Sequence, residues 1–366
     1  MGKPIPQGAQ TAAAIVTLGV DTHQDIHVAV VLDQLGRRLG ELSVPTTVVG
    51  YHRLMNWAEG FGELGRVGVE GTGSYGAGLT RFLKARGARV FEVGRPKRRH
   101  RRQRAKADTI DAEEAARAVL AGTDIGQPKA ANGKVEMIRA LRATRRSAVK
   151  ARTQATNQLK ALVVTASEEL RDRLRHLNTT KLVAAAARLR PGPHPNTPEE
   201  AVKFAMRSVA RRYRSLSEEI ADLEEQLDRL VAEVAPELVA AKGVGTETAA
   251  VLLITAGDNP ERLKSEPAFA HLCGVAPIPA SSGKTIRHRL NRGGDRDANW
   301  ALYMIAIGRL RWEQRSRAYA ARRTSEGKNK AEIIRCLKRY IAREVYKILL
   351  CAPLQQPTES GATCES

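Results

Sequence analysis

Four acidic residues occupy positions from which their carboxylates could bind metal ions. Asp21 and Glu70 each follow an apolar stretch, and Asp108 and Asp111 lie three residues apart in an Ala-rich segment. Carboxylates gathered in one place raise each other's pKa values, and they resist joint ionisation unless a cation lies between them. Divalent cations held by carboxylate oxygens can activate the attacking oxygen and stabilise the leaving oxygen in phosphoryl transfer. The four residues therefore predict a metal-dependent centre for phosphoryl transfer.

The predicted secondary structure indicates how these acids would meet. Strands are predicted at residues 14–20, 25–31, 37–44, 66–70 and 88–93, and helices at 48–58, 73–86 and 108–121. The order βββαβαβα is typical of a ribonuclease-H-like sheet, in which three antiparallel strands precede alternating helices and strands. Asp21 and Glu70 would end neighbouring strands of that sheet, and Asp108 and Asp111 would share one helix face.

Each acidic residue also has a purely structural interpretation. An Asp at a strand end is commonly a turn residue, and Asp108 with Asp111 would suit the positive end of a helix dipole. The joint pattern beside the basic run 95–104 favours the metal-binding interpretation, because basic side chains there would neutralise phosphates and make binding steeply salt-dependent. The predicted phosphate contacts are Arg98, Arg99, Arg101, Arg102, Arg104 and Lys106.

The charge balance of the chain indicates a polyanionic partner. The 366 residues include 60 Lys and Arg against 39 Asp and Glu, a formal net charge of +21, which favours DNA. A membrane is the rival partner, but no apolar run approaches the roughly 20 residues that a spanning helix needs. Four scattered cysteines without C-x-x-C spacing fit a reducing cytosol, so a soluble bacterial protein associated with the nucleoid is expected. Only 4% of residues are aromatic, which favours duplex backbone contacts over base stacking.

The middle of the chain predicts long helices with a basic face. Residues 134–189 are almost free of Gly and Pro, and apolar residues recur at helical spacing again over 201–234. A helical hairpin or coiled-coil arm, suited to oligomerisation, is the predicted result. Its predicted phosphate contacts are Arg142, Arg145 and Arg146.

A further composition begins after Pro236. The segment 241–249 places Gly243 and Gly245 between two apolar helical stretches, which predicts either a helix-hairpin-helix element or a simple tight connection. In the first case, backbone amides at a helix N-terminus would meet a DNA phosphate. The predicted organisation is a catalytic α/β domain at 12–125, a basic helical or coiled-coil region at 134–235, and a mainly α C-terminal domain at 236–352.

Several short motifs carry a resemblance to a known family. GVDTH around Asp21, VEGTGSY around Glu70 and KADTIDA around Asp108 resemble the DEDD-type transposases of insertion-sequence family one-ten. GVAP, SSGK, RGG and ALY, between Gly274 and Tyr303, resemble the second block of that family. The resemblance implies a RuvC-like domain that binds Mg²⁺, and a serine in the C-terminal block that links covalently to DNA.

The resemblance also implies residue roles and partners. The serine that precedes Gly283 is Ser282, with Ser281 as the second choice, and Lys284 is a nearby nucleic-acid contact. A lone serine hydroxyl needs activation. His288 is near but not in an obvious position, so a composite site that includes the metal cluster is expected. The family further implies dimers or tetramers on two DNA molecules and, by resemblance alone, a non-coding bridge RNA.

Two other functions fit parts of the pattern. A structure-selective nuclease or Holliday-junction resolvase would use the same metal centre with water as the nucleophile, and it would survive the loss of Ser282. A non-catalytic nucleic-acid-binding protein would use the acids structurally, and Asp21→Ala would leave its DNA transactions intact.

Overall fold

In the computed structural model, which describes residues 14–94, 108–123, 125–281 and 288–351, the chain divides into a unit within residues 1–131 and a unit within residues 132–366. The first unit is mixed α/β, and the second is mostly helical. No helix among the described residues is both long enough and apolar enough to cross a membrane.

The first unit contains a six-stranded sheet with the strand order β3-β2-β1-β4-β5-β6. The strands are β1 (Ile15–Thr22), β2 (Ile26–Leu32), β3 (Arg38–Pro45), β4 (Glu63–Glu70), β5 (Val90–Val93) and β6 (Ile125–Gly126). The strands β1, β2 and β3 pair antiparallel, β4 and β5 continue the sheet in parallel with β1, and β6 pairs antiparallel with β5. The first three strands therefore form a meander, and β4 returns to the open side of β1.

Helices cover both faces of this sheet. They are α1 (Val48–Glu59), α2 (Ala77–Ala85) and α3 (Asp108–Ala121). Alternate residues of β1, including Leu18 and Val20, pack in one core with α1 and α2. Residues of β2 that point the other way, such as Val30, pack against Ala112 and Ala116 of α3. This period-2 alternation places the intervening residues of β1, Gly19 and Asp21, on the face that carries α3.

The second unit begins with long helices. They are α4 (Lys134–Val164), α5 (Glu168–Leu174), α6 (Thr179–Ala187) and α7 (Pro198–Val234). Arg212 donates to Gln158 near one end, and Lys134 pairs with Glu233 near the other, so α4 and α7 run antiparallel. The two long helices lie side by side as a helical hairpin, and the predicted continuous stretch 134–189 is divided into three helices.

The rest of the second unit is a helical array with one two-stranded ribbon. Its elements are α8 (Pro236–Ala240), α9 (Thr246–Ala256), α10 (Glu266–Leu272), β7 (Ile278–Pro279), β8 (His288–Arg289), α11 (Arg296–Trp312), α12 (Gln314–Ser325) and α13 (Lys330–Cys351). One core joins the base of the hairpin, through Ile138 and Leu230, to residues such as Leu252, Leu302 and Ile341. The predicted regions 134–235 and 236–352 are therefore packed together.

Two helices begin at different residues from those predicted. The structure starts α2 at Ala77 rather than at residue 73, because the chain turns at residues 71–76, where the amides of Ser74 and Gly76 donate to the carbonyl of Gly71. It starts α7 at Pro198 rather than at residue 201, because the Thr197 hydroxyl accepts from the amide of Glu200 and caps the helix.

Candidate functional site

Two of the predicted acids end adjacent parallel strands. Val20 of β1 lies opposite Val69 of β4, so Asp21 and Glu70 come next on each strand at the same edge of the sheet. The Thr22 hydroxyl donates to the Glu70 carbonyl at 2.7 Å and ties the two strand ends together. Asp21 is buried with 8% of its surface exposed, so the sheet and its covering helix hold this carboxylate away from bulk solvent.

The other two acids reach this edge because α3 packs directly on the strands. A Cβ added at Gly19 would lie 2.1 Å from the Ala112 carbonyl oxygen and 2.3 Å from the Ala116 nitrogen. A Cβ at Gly68 of β4 would lie 2.7 Å from the Ala115 carbonyl oxygen. Glycine on both strands therefore lets the helix backbone approach the sheet, and the first turn of α3 brings Asp108 and Asp111 to the edge.

A histidine lies between two of the carboxylates. His23 Nδ1 is 3.8 Å from Asp21 Oδ2, and His23 Nε2 is 3.8 Å from Asp108 Oδ1. One ligand atom from each of the three residues lies within 4.8 Å of the others, a spacing that could hold a metal ion. His23 and Asp108 are exposed, whereas Asp21 forms the buried side of the cluster.

The pKa of Asp21 is affected by the other three predicted acids. The pKa of Asp21 is raised to about 6, chiefly by burial; the charge of His23 opposes the shift, and the charges of Glu70, Asp111 and Asp108 add to it. The ionised form of Asp21 is therefore disfavoured by the chain itself. A cation at this edge would relieve the repulsion, and carboxylate oxygens are the ligands that hard divalent cations prefer. The donor set fits a divalent metal.

His23 is a functional candidate that the sequence analysis missed. It stands two residues after Asp21, and side chains at i and i+2 share a face when strand geometry continues. That spacing was the available signal. The structure uses it to bring an imidazole to the same edge as the carboxylates.

The predicted serine region belongs to the second unit. Ser281 is exposed, whereas Ser282 and Lys284 lie outside the described residues. The flanking strands β7 and β8 pair, with Ile278 opposite Arg289 and Pro279 opposite His288. The nucleophile assignment therefore remains a prediction.

The predicted basic contacts divide into two groups. Arg98, Arg99, Arg101, Arg102, Arg104 and Lys106 lie outside the described residues. The hairpin arginines lie in an ion-pair network with acids of the second unit. The Arg142 side chain, 12% exposed, pairs with Glu247 at 2.9 Å and Asp297 at 3.4 Å, so it offers little surface for a phosphate.

The neighbouring hairpin arginines are more accessible. Arg145 also pairs with Glu247, at 3.2 Å, and with Glu224. Arg146 pairs with Asp297 at 2.9 Å but leaves 68% of its side chain exposed. Of the three predicted contacts, Arg146 is therefore the most available to an external phosphate.

The Gly243–Gly245 turn is held by the protein on one side. The Arg309 guanidinium donates to the Lys242 carbonyl at 2.7 Å, and the Gly245 amide donates to the Thr248 hydroxyl at 3.1 Å. The first turn of α9 also contains Glu247, whose carboxylate already occupies the positive end of the helix dipole. Phosphate contact at Gly243 and Gly245 stays a prediction.

Comparison with known proteins gives two family matches. Residues 18–167 match the model of the DEDD transposases of the IS110 type, described as a transposase. Residues 235–321 match a second model, described as the transposase IS116/IS110/IS902 family. The first match spans all four predicted acids, and the second spans the predicted serines.

One curated relative also aligns with the chain. It is the insertion element IS110 uncharacterized 43.6 kDa protein of Streptomyces coelicolor, 34% identical over 138 residues. The alignment covers 36% of this chain and 33% of the relative. The chain thus matches about a third of the length of that relative.

Proposed function

We propose that the chain is a DEDD transposase of the IS110 family, whose models it matches in two regions, and that it cleaves and exchanges DNA strands at the ends of an insertion sequence and its target. In this proposal the first unit is a ribonuclease-H-like, RuvC-like catalytic domain, in which Asp21, Glu70, Asp108 and Asp111 hold Mg²⁺. The second unit supplies a serine nucleophile, Ser282 or its neighbour Ser281.

The observation that carries the proposal is the gathering of acids around Asp21. A folded chain rarely places a buried carboxylate beside three others unless function requires it, because the arrangement opposes ionisation. Asp21 experiences the charges of Glu70, Asp108 and Asp111 together. The order strand end, strand end and helix start also supports the ribonuclease-H-like assignment.

Each residue of the acidic cluster has a proposed role in holding the metal. Asp21 and Glu70, on the sheet edge, give fixed oxygen ligands, and Asp108 and Asp111 close the site from the helix. His23, between Asp21 and Asp108, adds a nitrogen that can hold a proton or a ligand position. A bound divalent metal would supply activation of the attacking oxygen and stabilisation of the leaving one.

The serine step is a transesterification. The serine Oγ forms a bond to a DNA phosphorus, and the bond from that phosphorus to the sugar oxygen of the leaving strand breaks. The proton that the serine loses is matched by the proton that the released sugar hydroxyl takes up. Because a serine hydroxyl is a weak nucleophile, this step requires activation.

The proposed partners follow from the family and from charge. DNA is the substrate, in line with the net charge of +21. Assembly as a dimer or tetramer and a non-coding bridge RNA are proposed on resemblance alone. The RNA requirement is tested by supplying or omitting the non-coding DNA that flanks the element.

The testing experiment is recombination in cells between plasmids that carry the element's ends and its target. Wild type is compared with Asp21→Ala, Ser282→Ala and Ser281→Ala, with the flanking non-coding DNA supplied. Asp25→Ala is the matched control, because Asp25 is an exposed carboxylate just beyond the cluster. Wild type and Asp25→Ala are expected to join the ends, and Asp21→Ala and Ser282→Ala are expected to fail.

Other outcomes point to the rival functions. If Ser282→Ala recombines while Ser281→Ala fails, the nucleophile is Ser281. If both serine variants work and Asp21→Ala does not, water is the nucleophile and the protein acts as a nuclease or resolvase. If Asp21→Ala works, the acids are structural and the proposed catalytic centre is wrong.

A further inference from the structure

The second unit contains a large cavity beside the ribbon that flanks the predicted serines. Its volume is about 1170 Å³, and its walls come from β8, the segment after α10, α11 and α13. Gly274 lines this cavity, and Gly294 packs against it so closely that a Cβ added at Gly294 would lie 2.3 Å from the Gly274 nitrogen. Two backbones therefore meet directly and fix the shape of the wall there.

The cavity is strongly basic. Seven of its lining residues are Lys or Arg, and none of the described residues that line it is Asp or Glu. Arg339 is neutralised from outside the cavity by Glu266, whose Oε2 accepts from its Nη2 at 2.8 Å. Within the described part of the chain, Arg289, Arg292 and Arg335 have no acidic group at ion-pair distance. Their positive charge is left for a ligand.

Lys338 is the most informative of these cations. Its ammonium donates to Asn299 Oδ1 at 2.7 Å, and the Asn299 amide nitrogen donates to the carbonyls of Cys273 and Gly274 at 3.0 and 3.1 Å. The asparagine is thereby fixed with its oxygen toward the lysine. The pKa of Lys338 lies below its ordinary value because of burial and the Arg335 charge. A partly buried ammonium held only by a neutral amide is suited to an anionic ligand.

The rest of the cavity is apolar and aromatic. Val275, Pro277 and Ile334 line it, and Tyr303 and Tyr340 lie at its sides, with 42% and 50% of their surfaces exposed. Tyr340 is braced from behind by the ring of Tyr319, whose centroid is 5.7 Å away. An aromatic ring beside cations fits a nucleobase next to its phosphate.

We propose that this cavity binds an unpaired segment of the DNA strand that is cut, with a phosphate on Lys338 and Arg335 and a base stacked on Tyr303. The inference rests on the proposed function for the identity of the nucleic acid. A cavity of about 1170 Å³ has room for a few nucleotides but not for a B-form duplex. The strand β8, which lines the cavity, follows the predicted serines in the sequence, and on this ground we assign the bound segment to the strand that is cut.

The test measures binding of fluorescent oligonucleotides of about 20 nucleotides to the full chain by anisotropy, in a metal chelator and over a salt series. The variant Lys338→Gln is compared with Lys347→Gln, which removes an exposed charge from the same helix outside this cavity. Single-strand affinity is expected to fall roughly tenfold for Lys338→Gln and less than about twofold for Lys347→Gln. The salt slope of single-strand binding is expected to fall by about 0.7 for Lys338→Gln.

A second pair of variants tests stacking. Tyr303→Ala is expected to weaken single-strand binding roughly tenfold and duplex binding less than about twofold, whereas Tyr303→Phe keeps the ring and the affinity. Equal losses for the Lys338 and Lys347 variants, or equal losses on duplex and single strand, would overturn the proposal. Tighter binding of an RNA of the same sequence, with the same dependence on Lys338 and Tyr303, would assign the cavity to RNA instead.

The binding assay separates this proposal from the function on which it rests. It needs neither metal nor the element's ends, and Asp21→Ala is expected to bind the oligonucleotide as wild type does. Failed recombination with intact cavity binding would count against the proposed function alone. Intact recombination in Lys338→Gln and Tyr303→Ala would count against the cavity alone.

Discussion

The acidic cluster of the first unit and the basic cavity of the second unit are opposite in charge but similar in construction. In the first, Asp21 is buried among like charges that raise its pKa. In the second, Lys338 is partly buried beside Arg335, and its pKa is lowered. In each site the surrounding protein therefore destabilises the charged form of a side chain. Close packing of backbone at glycines fixes the geometry of both sites.

The difference between the two regions lies in what holds the charged groups. The acids are placed by strand ends and a helix start, so their positions follow from the sheet. Lys338 is placed by a side-chain relay, through Asn299 to the carbonyls of Cys273 and Gly274. The acidic site depends on close packing of the main chains, whereas the relay depends on a single side-chain amide.

Gly19→Ala is the change with the largest expected effect, because it breaks the acidic site alone. The new Cβ would lie 2.1 Å from a backbone oxygen of α3, so the helix must shift, at an expected cost of about 3 kcal/mol in the free energy of unfolding. Gly126→Ala is the control, since its Cβ would meet no atom within 4 Å. Urea denaturation measures both, and equal stability of the two variants would refute the close-packing account.

Arg142→Met tests whether the hairpin's charge is structural. Removing this guanidinium leaves Glu247 and Asp297 without one of their cations, and about 2 kcal/mol of destabilisation is expected. The matched change Arg146→Met removes an exposed partner of the same Asp297 and should cost less than about 1 kcal/mol. Chemical denaturation compares the two variants. A larger loss of stability for Arg146→Met than for Arg142→Met would show that Arg146, not Arg142, is the structural arginine.

Mg²⁺ should stabilise the acidic cluster of the first unit, and a single-stranded oligonucleotide should stabilise the basic cavity of the second unit. At a hundredfold excess over its dissociation constant, a ligand adds about 2.7 kcal/mol. Mg²⁺ is expected to slow hydrogen exchange in β1 of wild type but not of Asp21→Asn. A single-stranded oligonucleotide is expected to slow exchange in α13 of wild type, and to slow it roughly tenfold less in Lys338→Gln. Mass spectrometry of peptides from each element measures this, and loss of both responses in either variant would contradict separate sites.

Glu266→Gln has the smallest expected effect. It tests Arg339, the cavity arginine that is neutralised by a close acidic partner. The hydrogen bond from Arg339 lowers the pKa of Glu266, so the pair's stabilisation is present above the ordinary value of 4.5 and is lost as pH falls below it. The wild type should therefore lose about 1 kcal/mol more than the variant on acidification from pH 7 to pH 3. Thermal unfolding at several pH values measures this difference. A difference in melting temperature between wild type and variant that does not change with pH would contradict this prediction.

Local patterns in the sequence predicted much of the first unit. Apolar runs and alternation gave the elements β1 to β5 and α3, and that order brought Asp21 and Glu70 to one edge. The start of α2 was missed because the turn at residues 71–76 depends on hydrogen bonds to the Gly71 carbonyl. His23 was missed because the predicted ligand set contained only carboxylates.

The second unit was harder to predict because its important contacts are distant along the chain. Arg142 and Glu247 are 105 residues apart, so the sequence alone did not show that a predicted phosphate contact also forms an ion pair within the second unit. The low aromatic content argued against base stacking for the whole chain, yet Tyr303 and Tyr340 lie together in one cavity. Composition averages over the chain, whereas a binding site needs only two rings in one place.

The long hairpin has two hydrophobic cores along its length. At its base, Ile138 and Leu230 belong to the main core of the second unit, and toward its tip Leu159 and Met206 belong to another. The 37 residues of α7 extend about 55 Å at the α-helical rise. The separation between the two cores is therefore set by a number of residues. Removing seven residues from each helix between the cores would shorten the arm by about 10 Å and keep both apolar faces aligned. The length of the hairpin can therefore change in steps of about two helical turns without loss of either core.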